Sequence, residues 1–490
     1  MYIYSIMINR EKIAVIEGEN KWTFNQLDES SKEICFTILQ INNQVQGKCI
    51  AYMVDPGFDY VSVQKAIWLS GAIAVPLCLS HPLPSLQYVI EDTAAKIIII
   101  SSQYESLLSD YCRQHQIHLM VLEQNIKSSP SPLPELSDED PAMILYTSGT
   151  TNKPKGVVLS HGNLKAQMET LIHAWKWSNQ DHTLCVLPLH HVHGIVNVVG
   201  CANRIGAICE FLPNFSAEKV FELFLKGEIN VFMAVPTIYF KLIAFWETLS
   251  KERQDELYNA MSKFRLMVCG SAALPVSIME KWKLISGHIL LERYGMTEIG
   301  MGISNPYNGE RRAGFVGKPL PGVSVRVVDE TYNDIVNEEP GEILIKGANV
   351  FKSYWHKPDE TAKAFTLDGW FKTGDMCVIE NEYYKIIGRS SVDIIKSGGY
   401  KISALEIEEV LRTHELVKDC AVVALPDEEW GEKIVVAIVG IKPEEDSVLT
   451  KWIRTQLPNY KCPKLYIWVD DLPRNAMGKV VKTEVKKLFN

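Results

Sequence analysis

Apolar and polar positions follow one another along this chain in two rhythms. Thr23-Phe24-Asn25-Gln26 offers a Thr-x-x-Gln capping box, and apolar residues then recur at Leu27, Ile34 and Ile38 with helical spacing. Helical stretches at 60–69 and 84–91 alternate with extended ones at 73–75 and 96–100, a pattern that predicts sheets covered by helices. A looser Ser/Pro-rich piece at 127–141 leads to two apolar runs, 142–145 and 157–159, with a polar loop between them. Further strands are expected at 183–187, 231–235, 265–269 and 288–291. Several end in polar turns: His190-His191, Pro236-Thr237, Gly270-Ser271-Ala272 and the stretch from Arg293 to Glu298. Ligands of open α/β sheets lie beyond the strand ends, so chemistry is expected at these turns. The stretch 314–345, rich in Val, Gly and Pro, reads as a smaller β unit. A boundary is expected at Gly388-Arg389, separating a large α/β unit (1–388) from a small α+β unit (389–490). The second has helical rhythm at 403–412 and 447–456 and extended rhythm at 419–424 and 435–440. There are no internal repeats.

Composition narrows the function class. At 490 residues, with 47% hydrophobic and 22% charged positions, the chain reads as a globular protein of two or three core-forming units. Its net charge of −9 argues against a global field for nucleic acid, so an anionic substrate must be held by local donors. Eleven scattered cysteines, with no Cys-x-x-Cys pair, suggest reduced buried thiols, with neither a disulfide framework nor a zinc site. The apolar start, Met1 to Ile8, lacks a basic leader and a small-residue cleavage site, and no stretch approaches the ~18 apolar residues of a membrane span. A soluble, cytoplasmic protein without membrane insertion is expected.

The polar loop is Thr147-Ser148-Gly149-Thr150-Thr151-Asn152-Lys153-Pro154-Lys155-Gly156. Glycines allow close backbone approach, successive N–H groups form an anion-binding concavity, and hydroxyls donate to phosphate oxygens. No Lys-Ser or Lys-Thr follows the second glycine, so it is not a P-loop, and on composition alone a plain hairpin loop stays open. The residue order Thr-Ser-Gly-Thr-Thr-x-x-Pro-Lys-Gly resembles the signature loop of the adenylate-forming superfamily, which includes acyl-CoA synthetases, peptide-synthetase adenylation domains and luciferases. Asn152 departs from the family's usual glycine, and Asn tolerates positive φ.

Further motifs fall in the family's order. In Glu292-Arg293-Tyr294-Gly295-Met296-Thr297-Glu298, the resemblance puts Tyr294 at the adenine, Thr297 at phosphate and Glu298 at Mg²⁺, a role a carboxylate suits. Gly270-Ser271-Ala272 resembles the other adenine-contacting turn, and Thr373-Gly374-Asp375 the motif whose Asp holds the ribose hydroxyls. Arg389 corresponds to a nucleotide-contacting arginine, and Gly398-Gly399 to a turn lining the CoA tunnel once the small domain rotates. The hinge falls within Ser390 to Asp393, where this chain runs one residue long. Leu472-Pro473-Arg474-Asn475-Ala476-Met477-Gly478-Lys479 resembles the closing motif, whose lysine bridges the attacking carboxylate and the α-phosphate. An exposed turn lysine is the alternative for Lys479, and a Ser403-x-x-Glu406 capping box accounts for Glu406 without any catalytic role.

The resemblance implies ATP, Mg²⁺ and coenzyme A as reactants, and it leaves the acid to be read from two places. His190-His191-Val192-His193-Gly194 puts His191 near the acyl group and its gate, while His193 reads equally well as packing. Arg293 stands where most acyl-CoA synthetases carry a small residue, and with the histidine run it resembles the malonyl-CoA synthetase branch. A guanidinium fork matches a second carboxylate; a surface pair between Arg293 and Glu292 is the alternative. The expected activity is ligation of malonate or methylmalonate to CoA. A monocarboxylate ligase, a carrier-loading adenylation enzyme and a non-catalytic nucleotide-binding relative are the rivals. Oligomeric state is not legible.

Overall fold

The computed structural model describes residues 9–122, 129–147, 154–335, 339–389, 393–397, 400–427, 430–444, 447–475 and 478–489. Two large sheets form the frame of the N-terminal unit. One runs Ser353–Tyr354, Lys155–Ser160, Pro141–Thr147, Ile73–Pro76, Cys49–Met53, Ile97–Ile100, His118–Val121. The other runs Lys318–Pro319, Gly300–Ser304, Leu291–Met296, Leu266–Gly270, Val231–Ala234, His182–Cys185, Ile208–Phe211, Ile13–Glu17, Asn20–Thr23. Their centres are parallel, which is why Ile97–Ile100 and Val231–Ala234 read as unbroken apolar runs.

One hydrophobic cluster joins the two sheets and the helices between them, including Phe24–Ile41, Phe58–Leu69 and His161–Ala174. The outer face of each sheet has its own cluster. Thr23 begins the first helix with both halves of the capping box formed, as its sequence requires; such caps contribute about 1 kcal/mol. A four-stranded antiparallel sheet, Val323–Val328, Gly341–Gly347, Phe371–Glu380, Tyr383–Arg389, is the smaller β unit. It extends well beyond the expected 314–345, because Thr373-Gly374-Asp375, expected as a turn, lies inside its third strand, Phe371–Glu380.

Downstream of Arg389 a separate sheet begins. Its order is Tyr400–Ser403, Ile394–Ser397, Gly431–Gly440, Val417–Asp427, with Leu465–Trp468 also on Gly431–Gly440. The helices Ala404–Leu411 and Ser447–Gln456 accompany it, as the two rhythms indicated. No helix among the described residues is long and apolar enough to cross a membrane.

One strand differs from expectation in a way that matters. The segment expected to stop at residue 291 continues as Leu291–Met296, so Arg293 to Met296 is strand and the turn begins at Thr297. The physical reason is its partner: Tyr294 and Met296 pair antiparallel with Ile303 and Gly300. A Cβ at Gly295 would sit 2.0 Å from the Gly300 carbonyl, so only glycine fits that crossing.

Candidate active site

Strand parity decides which side chains enter the site. Leu291 belongs to the inner cluster, so Arg293, two residues on, shares its face, and Glu292 points to the opposite side. Arg293 is 3% exposed and Glu292 4%, so the surface pair does not occur. The guanidinium passes beneath Gly270, where a Cβ would stand 2.8 Å from Arg293 Cζ; any larger residue would evict it. Arg293 Nη2 donates to Ser271 Oγ at 3.0 Å, and that hydroxyl lies 3.2 Å from His193 Nδ1. Ser271 adopts φ +73°, a left-handed conformation that costs a non-glycine residue about 1 kcal/mol or more. Arg293 Nε and His193 Nε2 are buried with no partner among the described residues.

The histidines and arginine around this point share one electrostatic condition. Burial, reinforced by His81, lowers His190 to about 4, and burial with His190, Lys479 and His81 lowers His191 to about 3. His193 is held well below the ordinary range by burial and by Arg293. All three are neutral imidazoles at pH 7, able to donate or accept one hydrogen bond but adding no charge. Burial lowers Arg293 to about 10, so it remains a cation. Glu292, on the far face, is pushed up to about 8 by burial, with Oε1 accepting from the Leu274 N–H at 3.4 Å. It is therefore a largely neutral acid at pH 7 and leaves the Arg293 charge uncancelled.

A second cluster lies across the strand. Tyr294 OH donates to Asp375 Oδ2 at 2.6 Å, and Arg389 Nε donates to Asp375 Oδ1 at 2.9 Å. Asp375 is buried in the strand Phe371–Glu380, and the Thr373 hydroxyl accepts its N–H at 3.1 Å. A carboxylate has about four acceptor positions, so two remain for a vicinal diol. Glu298 is buried, and its Oε1 accepts the Tyr354 hydroxyl at 3.0 Å. Burial raises the Glu298 carboxyl above the ordinary range, so a nearby dication would favour its ionised form. Among the described residues no group of three or more acidic, His or Cys side chains could by itself enclose a metal. A lone carboxylate fits Mg²⁺, which is commonly held by one or two carboxylates plus substrate phosphates.

Thr147 and Lys155 face each other in the antiparallel pair that carries the signature loop. Lys155 is ion-paired with Glu360 and lies 5.3 Å from the Tyr354 ring centroid. Ser148, Gly149, Thr150 and Thr151 lie outside the described residues, as do Gly398 and Gly399. Gly270, Ser271, Tyr294, Asp375 and Arg389 do converge, with Thr297 at the turn; Ala272 is exposed beside Ser271.

Lys479 reaches the same region from the C-terminal unit. A Cβ at Gly478 would sit 3.0 Å from Thr237 Oγ1, so the closing loop rests on Pro236-Thr237, expected as a turn but found as the start of the helix Pro236–Trp246. Lys479 is an exposed residue, yet protein surrounds its ammonium closely enough to desolvate it. That crowding, with Arg389 and Arg293 nearby, lowers its ammonium to about 8. Tyr354 and Glu360 were not legible in sequence. They bind Glu298 and Lys155 from far along the chain, the first from a two-residue strand with no periodicity.

Family models agree with this layout: AMP-binding enzyme matches residues 7–355, and AMP-binding enzyme C-terminal domain matches 406–479. The chain is 42% identical to a mitochondrial malonate–CoA ligase of Homo sapiens, over 98% of this chain and 90% of the relative. Its backbone is similar to ATP-bound MatB from Rhodopseudomonas palustris, at 30% identity, TM-score 0.91 and coverage of 99% and 97%. A malonyl-CoA ligase in a ternary product complex with methylmalonyl-CoA and AMP matches at 34% identity and a TM-score of 0.70, covering 95% of this chain and 97% of that one.

Proposed function

This chain belongs to the AMP-binding enzyme family, and we propose that within it the protein is an ATP-dependent malonate–CoA ligase, with methylmalonate as a second acid. A malonate carboxylate oxygen attacks the α-phosphorus of ATP and pyrophosphate leaves, giving malonyl-adenylate. The CoA sulfur then attacks the acyl carbon, its proton is lost to solvent, and AMP departs. The observation that carries the choice of acid is Arg293, a buried cation whose Nε has no partner among the described residues, beside neutral His193 on a central strand.

We assign residue roles from the motif resemblance, supported by the clusters described above. Asp375 accepts the ribose hydroxyls, Tyr294 stacks on the purine and Arg389 contacts the nucleotide, with Gly270, Ser271 and Ala272 forming the adenine turn. Thr147 to Thr151, Lys155 and Thr297 hold phosphates. Glu298 would hold Mg²⁺, which supplies charge neutralisation on the phosphates. His191 and His193 line the acyl site, Lys479 bridges acid and α-phosphate, and Gly398-Gly399 line the CoA tunnel. We place the boundary between units 1–388 and 389–490 at Gly388-Arg389, with the hinge within Ser390 to Asp393, whose first three residues lie outside the described ones. Greater similarity to the ATP-bound relative than to the product complex supports the adenylation arrangement for this conformation. All eleven cysteines are free and buried, and we read the compartment as reducing and cytoplasmic; cell fractionation tests that.

Release of pyrophosphate dependent on malonate, and of AMP dependent on free CoA, tests the reaction. AMP release only with a carrier protein would make the chain a carrier-loading enzyme, and no acid-dependent pyrophosphate would make it a non-catalytic relative.

Asp375→Ala should weaken ATP binding about ten- to a hundredfold, because hydrogen bonds to a charged group contribute roughly 1.5–3 kcal/mol. The same change removes the acceptor of Tyr294 and Arg389. Calorimetry on folded variant checks it; unchanged affinity removes Asp375 from the nucleotide site.

A further inference from the structure

Lys482 lies three residues beyond Lys479 and opens the helix Lys482–Lys487. Its side chain is 9% exposed, an unusual fate for a lysine, and Nζ makes ion-pair contacts with two carboxylates. Asp393 Oδ1 is 2.6 Å away and Glu408 Oε1 is 2.9 Å away. The other oxygen of Asp393 accepts the Arg389 N–H at 3.0 Å, and the Asp393 N–H donates to the Arg389 carbonyl at 2.9 Å. Arg389 in turn donates to Asp375. Contacts therefore run without a gap from the nucleotide cluster, through the backbone where the two units meet, to the root of the closing loop.

The loop itself is braced so that its root and tip move together. The Val481 N–H donates to the Pro473 carbonyl at 2.8 Å, and the Asn475 N–H to the Lys479 carbonyl at 2.9 Å. Asn475 Oδ1 accepts the Lys479 N–H at 3.0 Å, and Arg474 Nη1 donates to the Gly478 carbonyl at 2.8 Å. A displacement of Lys482 relative to Asp393 is thus passed to Lys479. Glu408 anchors the other side, since its Oε1 also accepts the Val422 N–H at 2.8 Å. Burial alone would lower the Lys482 ammonium, but Glu408 and Asp393 outweigh it and hold the group charged.

We infer that Lys482 is a positioning residue: by holding Asp393 against the Arg389 backbone, it sets the orientation in which Lys479 faces the acid and the α-phosphate. This rests on the ligase reading above. Lys482 touches neither substrate, so its removal should affect the half-reaction that needs this orientation and spare the other.

The test uses the full chain with Lys482→Met, Lys482→Arg and Asp393→Asn. Malonate-dependent ATP–pyrophosphate exchange reports adenylation, and thioester formation from supplied malonyl-adenylate and CoA reports the second step. Misplacing a catalytic group by ~1 Å can cost about a hundredfold, so exchange in the Met and Asn variants should fall roughly ten- to a hundredfold. Thioester formation should hold at the wild-type rate, and the Arg variant should recover most of the exchange. Equal loss of both half-reactions, or undiminished exchange, overturns the inference. Should Lys482→Met fail to fold, Asp393→Asn, which keeps side-chain shape, is judged by the same two outcomes. A wild-type enzyme without malonate-dependent exchange refutes the ligase reading instead, and is distinguished by that control.

Discussion

Arg293→Ala is expected to lower kcat/KM for malonate by roughly two to three decades while leaving butyrate unchanged or improved. The second carboxylate of a diacid must leave water to enter a site whose walls are buried strand ends, and an unpaired charge there costs several kcal/mol. Breaking one side of a buried pair costs about 3–5 kcal/mol, at about 1.4 kcal/mol per decade. The structure makes this sharper than a charge count would. Arg293 is already desolvated, tethered at Nη2 by Ser271 and without a partner for Nε among the described residues, and Glu292 faces away as a largely neutral acid. Lys at 293 should rescue only in part, because an ammonium lacks the planar fork. A monocarboxylate brings no second charge, so for butyrate the change only opens space. Equal falls for both acids in the Ala variant would remove Arg293 from acid selection.

Lys479→Ala should abolish adenylation and largely spare thioester formation from supplied malonyl-adenylate. A cation between two anions acts where charge develops in the transition state, and only the first half-reaction brings a free carboxylate to a phosphate. A pH signature accompanies it. The Lys479 ammonium sits at about 8 because of crowding, Arg389 and Arg293. It is protonated below that value and neutral above, so kcat/KM for ATP, which reports the free enzyme, should fall as pH rises through about 8. A rate that stays level until pH 10, where an ordinary lysine titrates, would contradict this, as would equal loss of both half-reactions in the Ala variant.

Much of the frame could be read from local pattern, because a parallel strand buried on both faces must be apolar throughout. Ile97–Ile100 and Val231–Ala234 meet that condition, and Thr23 with Gln26 capped the first helix as their spacing required. The motif order likewise located the cluster of Tyr294, Asp375 and Arg389. The strand Leu291–Met296 was legible only in part, since Glu292 and Arg293 look like the start of a turn and charged residues are rarely buried. Glu406 shows the other limit. Ser403 Oγ accepts the Glu406 N–H, but the Glu406 carboxylate goes to Lys461 at 2.7 Å instead of returning to the cap. A partner 55 residues away won over a local rule, and the same kind of distant pairing hid Tyr354 and Glu360. His193, equally readable as packing, is buried and lies 3.2 Å from the Ser271 hydroxyl.

We propose that the buried Arg293 guanidinium selects a diacid for adenylation. The most direct test is kcat/KM of the wild-type enzyme for malonate and for butyrate, read as CoA-dependent AMP release. A preference for malonate of about two decades or more is expected, the factor that follows from pairing a buried charge. A preference for butyrate would contradict it and make the enzyme a monocarboxylate ligase.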